Sequence, residues 1–78
     1  MSRKVYVDVI ALFTSEGQVM PHRVRWEDGT VFTVDRVLDV RPAAATKAGG
    51  CGMRYTCRIR GKEAFLFLDD DRWFVEAV

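Results

Sequence analysis

Arg54, Arg58 and Arg60 fall on alternate positions of "MRYTCRIR", and Phe65 and Phe67 on alternate positions of "EAFLFL" just beyond. In an extended chain, residues two apart share a face. A hairpin joining these runs therefore gathers guanidinium groups and aromatic rings on one side. Rings stack on nucleobases and arginines meet phosphates, so the pattern suits single-stranded nucleic acid. The same rings also suit self-association as a homodimer or docking of another protein. A third reading is structural, with Phe65, Phe67 and Phe74 covered by the 42–50 segment. Burial is the default, because exposed aromatic clusters are rare on monomers.

Other residue groupings offer less. Cys51 and Cys57, six apart, and His22 do not make a zinc site, which uses close cysteine pairs and four ligands. Cys57 alternates with Tyr55 and Ile59 and reads as a small core residue. His22, the single histidine, alternates with Val24 and falls on the apolar side, which leaves no Cys–His nucleophile. "DDDR" (69–72) lacks the spaced oxygen ligands of a calcium loop and reads as a turn. In "KAGGCG" (47–52) the lysine precedes the glycines, the reverse of a Walker-type phosphate loop. Its backbone amides still offer a place for an anion near Arg41 and Arg54. No catalytic motif, cofactor motif or metal set emerges. The expectation is a non-enzymatic binding module without cofactor or metal.

The elements that position these residues are short strands. "KVYVDVIALF" (4–13) is rich in valine and aromatic residues. "MPHRVRW" (20–26) and "TVFTV" (30–34) flank Glu27-Asp28-Gly29, a three-residue hairpin loop that sets Trp26, Val24 and His22 beside Phe32 and Val34. "RVLDVR" (36–41) follows. "PAAATKAGG" then reads as a short helix or an irregular loop, since proline suits a first helical turn and alanine a helix interior.

A Gly61-Lys62 loop would pair Arg60 with Glu63, Arg58 with Phe65, Thr56 with Phe67 and Arg54 with Asp69. The opposite face would pair Ile59 with Ala64, Cys57 with Leu66 and Tyr55 with Leu68. A four-residue "DDDR" loop sets Phe67 beside Phe74 and Phe65 beside Glu76. The fold expected is all-β: an antiparallel meander forming a small SH3- or OB-like barrel, or a strongly twisted sheet, with at most one short helix.

Seventy-eight residues make one small domain, 1–78, and 49% hydrophobic composition argues against disorder. The apolar runs "VIALF" and "AFLFL" are too short to cross a bilayer, and no cleavable leader is apparent. Two cysteines are few for a secreted domain of this size, so a cytoplasmic protein is expected. The net charge of +1 is unevenly spread, with nine Lys/Arg against four acids in 20–62 and one against five in 63–78. The whole-chain charge argues against a strong polyanion binder, while its uneven spread leaves room for a local basic face.

The pieces "VRWEDGTVFTVDRVLDVR", "KAGGCGMRYTCRIRGKE" and "DRWFVE" together resemble a family of small bacterial proteins with no assigned activity. The resemblance implies a one-domain protein and carries no site residues with it.

Overall fold

The computed structural model describes residues 3–44 and 51–77. Seven antiparallel strands follow one another: β1 (Arg3–Phe13), β2 (Val19–Arg25), β3 (Val31–Thr33), β4 (Arg36–Ala44), β5 (Cys51–Ile59), β6 (Lys62–Asp69) and β7 (Arg72–Ala77). They form one sheet in the order β3-β2-β1-β7-β6-β5-β4, curled into a half-barrel. Among the described residues there is no helix, and so none long and apolar enough to cross a membrane.

The curl follows from two features of the chain. First, β1 serves two neighbours in succession: Arg3–Val7 pair with β7, and Asp8–Phe13 pair with β2. Second, the edge strands β3 and β4 are consecutive in sequence yet lie at opposite ends of the sheet. The step between them bonds to both sides. The Val34 N–H donates to His22 O and the Asp35 N–H to Arg58 O, each at 2.8 Å. A flat sheet cannot satisfy both bonds.

Strand alternation sends Val5, Val7, Val24, Tyr55, Cys57 and Leu66 into the concave side, with Trp26, Val37, Ile59 and Trp73 packed around them. The Tyr55 hydroxyl donates to Val19 O at 2.7 Å, which satisfies the one polar atom this ring brings inside. The Glu27-Asp28-Gly29 loop forms as expected. Val24 faces Phe32, the Trp26 N–H donates to Thr30 O, and Gly29 takes φ +91°, the left-handed conformation that glycine adopts cheaply.

Three expectations need correction. His22 is exposed, because β2 bulges opposite β1. The partners jump from Arg23 at Ile10 to Pro21 at Ala11, His22 is the extra residue, and Pro21 and Val24 both turn inward. Pro42–Ala44 are strand rather than helix or loop, paired with Met53, Gly52 and Cys51. Proline is tolerated there because β4 is an edge strand. The rest of the expected lid, 45–50, lies outside the described residues.

The third correction concerns the hairpin between β5 and β6. Its loop is Arg60-Gly61, with φ of +52° and +75°, and Ile59 pairs with Lys62. Positive φ at both central residues is the turn whose twist matches a hairpin, with glycine in second place. The Arg60 N–H donates to Asp35 Oδ2 at 3.1 Å and anchors it. Moving the turn by one residue shifts the pairing by two, so that Arg58 faces Glu63 and not Phe65. Parity, and therefore face, is unchanged.

Candidate nucleic-acid interface

On the convex side of β4, β5 and β6, register builds a grid. Arg36 faces Arg58, which faces Glu63. Asp39 faces Thr56, which faces Phe65. Arg41 faces Arg54, which faces Phe67. The last row continues through Phe74 on β7 to Tyr6 on β1. The β6–β7 loop is two residues, Asp70-Asp71, rather than four. Asp69 pairs with Arg72, and the expected juxtaposition of Phe67 and Phe74 holds.

The rings on this side do not share one environment. Phe67 is 3% exposed and Phe74 fully buried, stacked at 5.1 Å between centroids and 9° between planes. Tyr6 tilts against Phe74 at 5.8 Å, and Lys4 Nζ sits 4.9 Å from the Phe74 centroid. These two phenylalanines form a second, smaller core on the far side of the sheet. Phe65 is 51% exposed, with the Arg54 guanidinium carbon 4.8 Å from its centroid.

Arginines of the expected set divide as well. Arg54 and Arg58 point to the Phe65 side. Arg60 belongs to the turn, and its guanidinium lies 4.8 Å from the Phe32 centroid, on a ring of the β2–β3 hairpin. Arg36 and Arg41 join the face from β4. Sequence reasoning has both on a strand but no register for it against β5, because "PAAATKAGG" reads as a break between the two strands and the bulge at Leu38 offsets the alternation.

Charge on this face is unbalanced. Four arginines, Arg36, Arg41, Arg54 and Arg58, stand among three carboxylates, Asp39, Glu63 and, at the end of β6 beside Arg72, Asp69. Arg41 Nε donates to Asp39 Oδ2 at 2.6 Å, and this bond, helped by the positive field of Arg41 and Arg54, holds the Asp39 carboxyl below its ordinary value. Among the described residues, Arg36 and Arg58 have no ion-pair partner, and Arg54 Nε is buried without a hydrogen-bond acceptor. Two arginines directly opposite each other on a sheet are destabilising. Here that occurs twice, at Arg36–Arg58 and Arg41–Arg54.

Elsewhere the chemistry is quiet. Burial pushes the Cys57 thiol up to about 11, so it stays protonated near neutrality and is neither a ready nucleophile nor a ready metal ligand. Among the described residues, no three His, Cys, Asp or Glu side chains converge to hold a metal. A cleft of about 530 Å³ at the mouth of the half-barrel is lined mainly by Val19, Met20, Val40, Met53, Tyr55 and Leu68. Its Tyr55 hydroxyl is already committed to Val19.

No family model, curated protein or solved structure matches this chain, so its residues alone carry the functional reading.

Proposed function

We propose that the convex β4–β5–β6 face binds single-stranded nucleic acid, with Phe65 as the stacking ring and Arg36, Arg41, Arg54 and Arg58 as phosphate contacts. Arg60 lies at the margin of this surface. Phe67 serves as the floor beneath it and does not meet a base. The observation that carries the reading is the pair of arginine–arginine juxtapositions bracketing a half-exposed ring. Phe65 stands opposite Thr56, with Arg54 and Arg58 as its diagonal neighbours, about 7–8 Å away in an antiparallel sheet. A bound polyanion would relieve the repulsion that the free protein bears. Self-association through the aromatic patch has only Phe65 and, two strands away and covered by the Arg72 guanidinium, Tyr6 to offer, since Phe67 and Phe74 between them are buried.

Few phosphates are engaged, so affinity should be about micromolar or weaker at physiological salt. Titration of a labelled single-stranded oligonucleotide at two salt concentrations tests the reading. With three or four phosphate contacts, log K should fall with log salt at a slope of about −2 to −3. Arg58→Glu should weaken binding and flatten that slope. Phe65→Ala should weaken binding by about 1–3 kcal/mol and leave the slope alone. Absence of binding at low salt, or equal affinity of both variants and the wild type, refutes the proposal.

A further inference from the structure

We propose that the second half of β1, Val9–Phe13, pairs with the same segment of a second copy, extending the sheet across a twofold axis. This rests on main-chain geometry and is independent of the nucleic-acid reading.

β7 covers β1 only as far as Val7, and β2 covers the other side from Asp8 onward. The direction of the backbone groups follows from the bonds that close the β2–β3 hairpin. The Trp26 N–H donates to Thr30 O and the Val34 N–H to His22 O, so even residues of β2 serve β3. Arg23 and Arg25 therefore serve β1, through Ile10 and Asp8. Beyond the bulge, the Thr14 N–H donates to Gln18 O, which keeps the even residues of β1 turned toward β2. Val9, Ala11 and Phe13 consequently aim their N–H and C=O groups away from β2. Among the described residues no strand receives them. A cleft of about 430 Å³ lined by Val9, Asp71, Arg72 and their neighbours opens where β7 leaves off, which gives a partner strand room.

The other edges are defended and this one is not. β3 is three residues long. β4 carries a bulge at Leu38, Arg36 and Arg41 on its face, and Pro42. Short length, bulges, charges and proline are what natural edges use to prevent pairing. "VIALF" has no charge, proline or glycine. Side chains on both faces are bare as well, with Ile10 63% and Leu12 50% exposed on one face and Phe13 76% exposed at the end of the other.

A second copy is the occupant that the segment itself specifies. In an antiparallel pairing centred on Ala11, Ala11 exchanges bonds with Ala11 of the second copy, and Val9 with its Phe13. Ile10 then meets Leu12 of the second copy in a non-hydrogen-bonded pair, where Cα atoms come within about 4.5 Å and side chains touch. No charge is brought opposite a like charge. Both copies satisfy the same free groups at once, which is the condition of a self-complementary twofold contact.

Sedimentation equilibrium over a wide concentration range, with hydrogen exchange at each concentration, tests this. The expected result is a monomer–dimer equilibrium little affected by salt. The Val9, Ala11 and Phe13 amides should gain protection as dimer forms. Ala11→Pro removes the central donor without breaking a bond of the monomer, and Ile10→Lys places a charge at the contact. Each should raise the dissociation constant about tenfold or more while leaving the monomer's thermal midpoint near wild type. Ile10→Lys keeps the test decisive if the proline variant misfolds. A monomer at all concentrations, a dimer that both variants leave intact, or a dimer without protection of those three amides overturns the proposal. Loss of dimer in favour of a complex with an unrelated extended peptide also overturns the choice of a second copy.

Discussion

Replacing Phe67 with alanine separates the structural from the ligand-facing role of the convex rings. Phe67 is 3% exposed and stacked on Phe74, so its loss removes a buried aromatic and leaves a hole beside a ring with no other stacked partner. Buried Phe→Ala changes cost about 3–5 kcal/mol, of which the ring–ring contact accounts for about 0.5–1.5. The second core is small, so the lower end applies, about 3 kcal/mol. In a domain of this size each kcal/mol moves the thermal midpoint by about 4–8 °C, which gives a fall of roughly 12–24 °C. Phe65 is half exposed and retains only part of the burial free energy of a phenylalanine, so Phe65→Ala should cost about 1 kcal/mol. Thermal melts followed by circular dichroism, run beside oligonucleotide titrations well below both midpoints, read the two roles separately. Phe67→Ala should lose about 12–24 °C and keep its affinity, while Phe65→Ala should lose only about 4–8 °C and most of its affinity. If Phe65→Ala proves the more destabilising change, or Phe67→Ala abolishes binding with its midpoint unchanged, the division of the two rings is wrong.

Three further outcomes are expected. Gly52→Ala should be strongly destabilising, since its Cβ would fall 2.3 Å from Leu68 O and 3.1 Å from Asp69 Cα, both backbone atoms. Overpacking of this kind costs about 1–3 kcal/mol or more, and urea unfolding would show it as a lower midpoint at unchanged m. Cys57 ionises near 11 in the folded chain against 9.0 ordinarily, so its contribution to stability is present below about pH 9 and lost as pH rises toward 11. Alkylation mapped to the Cys57 peptide should accordingly be slow at pH 8 and become fast in denaturant. The Asp39 carboxyl, lowered by Arg41, should titrate below 3.8 by NMR and move up in Arg41→Gln. The small stability it adds is present above its unfolded value and is lost as pH falls through its folded one.

What could be read from the sequence was mostly what period and turn chemistry control. Most of the seven strands were visible as runs of β-branched and aromatic residues between turn signals. The Glu27-Asp28-Gly29 loop was legible because a left-handed residue is needed there and only Gly29 supplies it cheaply. The β5–β6 loop was misplaced by one residue because "RGKE" admits two two-residue turns, with Gly61 first or second. Both turns keep the same parity, so the arginine and phenylalanine face survived the error. The bulges at His22 and Leu38 left no local signal, since an extra residue is fixed by the partner strand's packing. Burial of Phe67 was not decidable from its own hairpin. It depends on Phe74 and Tyr6, which arrive from β7 and β1, at the far ends of the chain.

That last dependence reaches into how the molecule must assemble. Val5 pairs with Val75, seventy residues later, whereas every other neighbouring pair of strands is adjacent in sequence. The hairpins can form early from local contacts, but the ladder joining β1 to β7 pays the largest loop-closure entropy and is expected last. Until it forms, the valines of β1 have no β7 to pack beside, and the stacked pair lacks Tyr6 along one flank. During synthesis the strand that emerges first must wait for the strand that emerges last. The interval in which β1 is available to wrong partners is therefore set by the whole length of the meander between them.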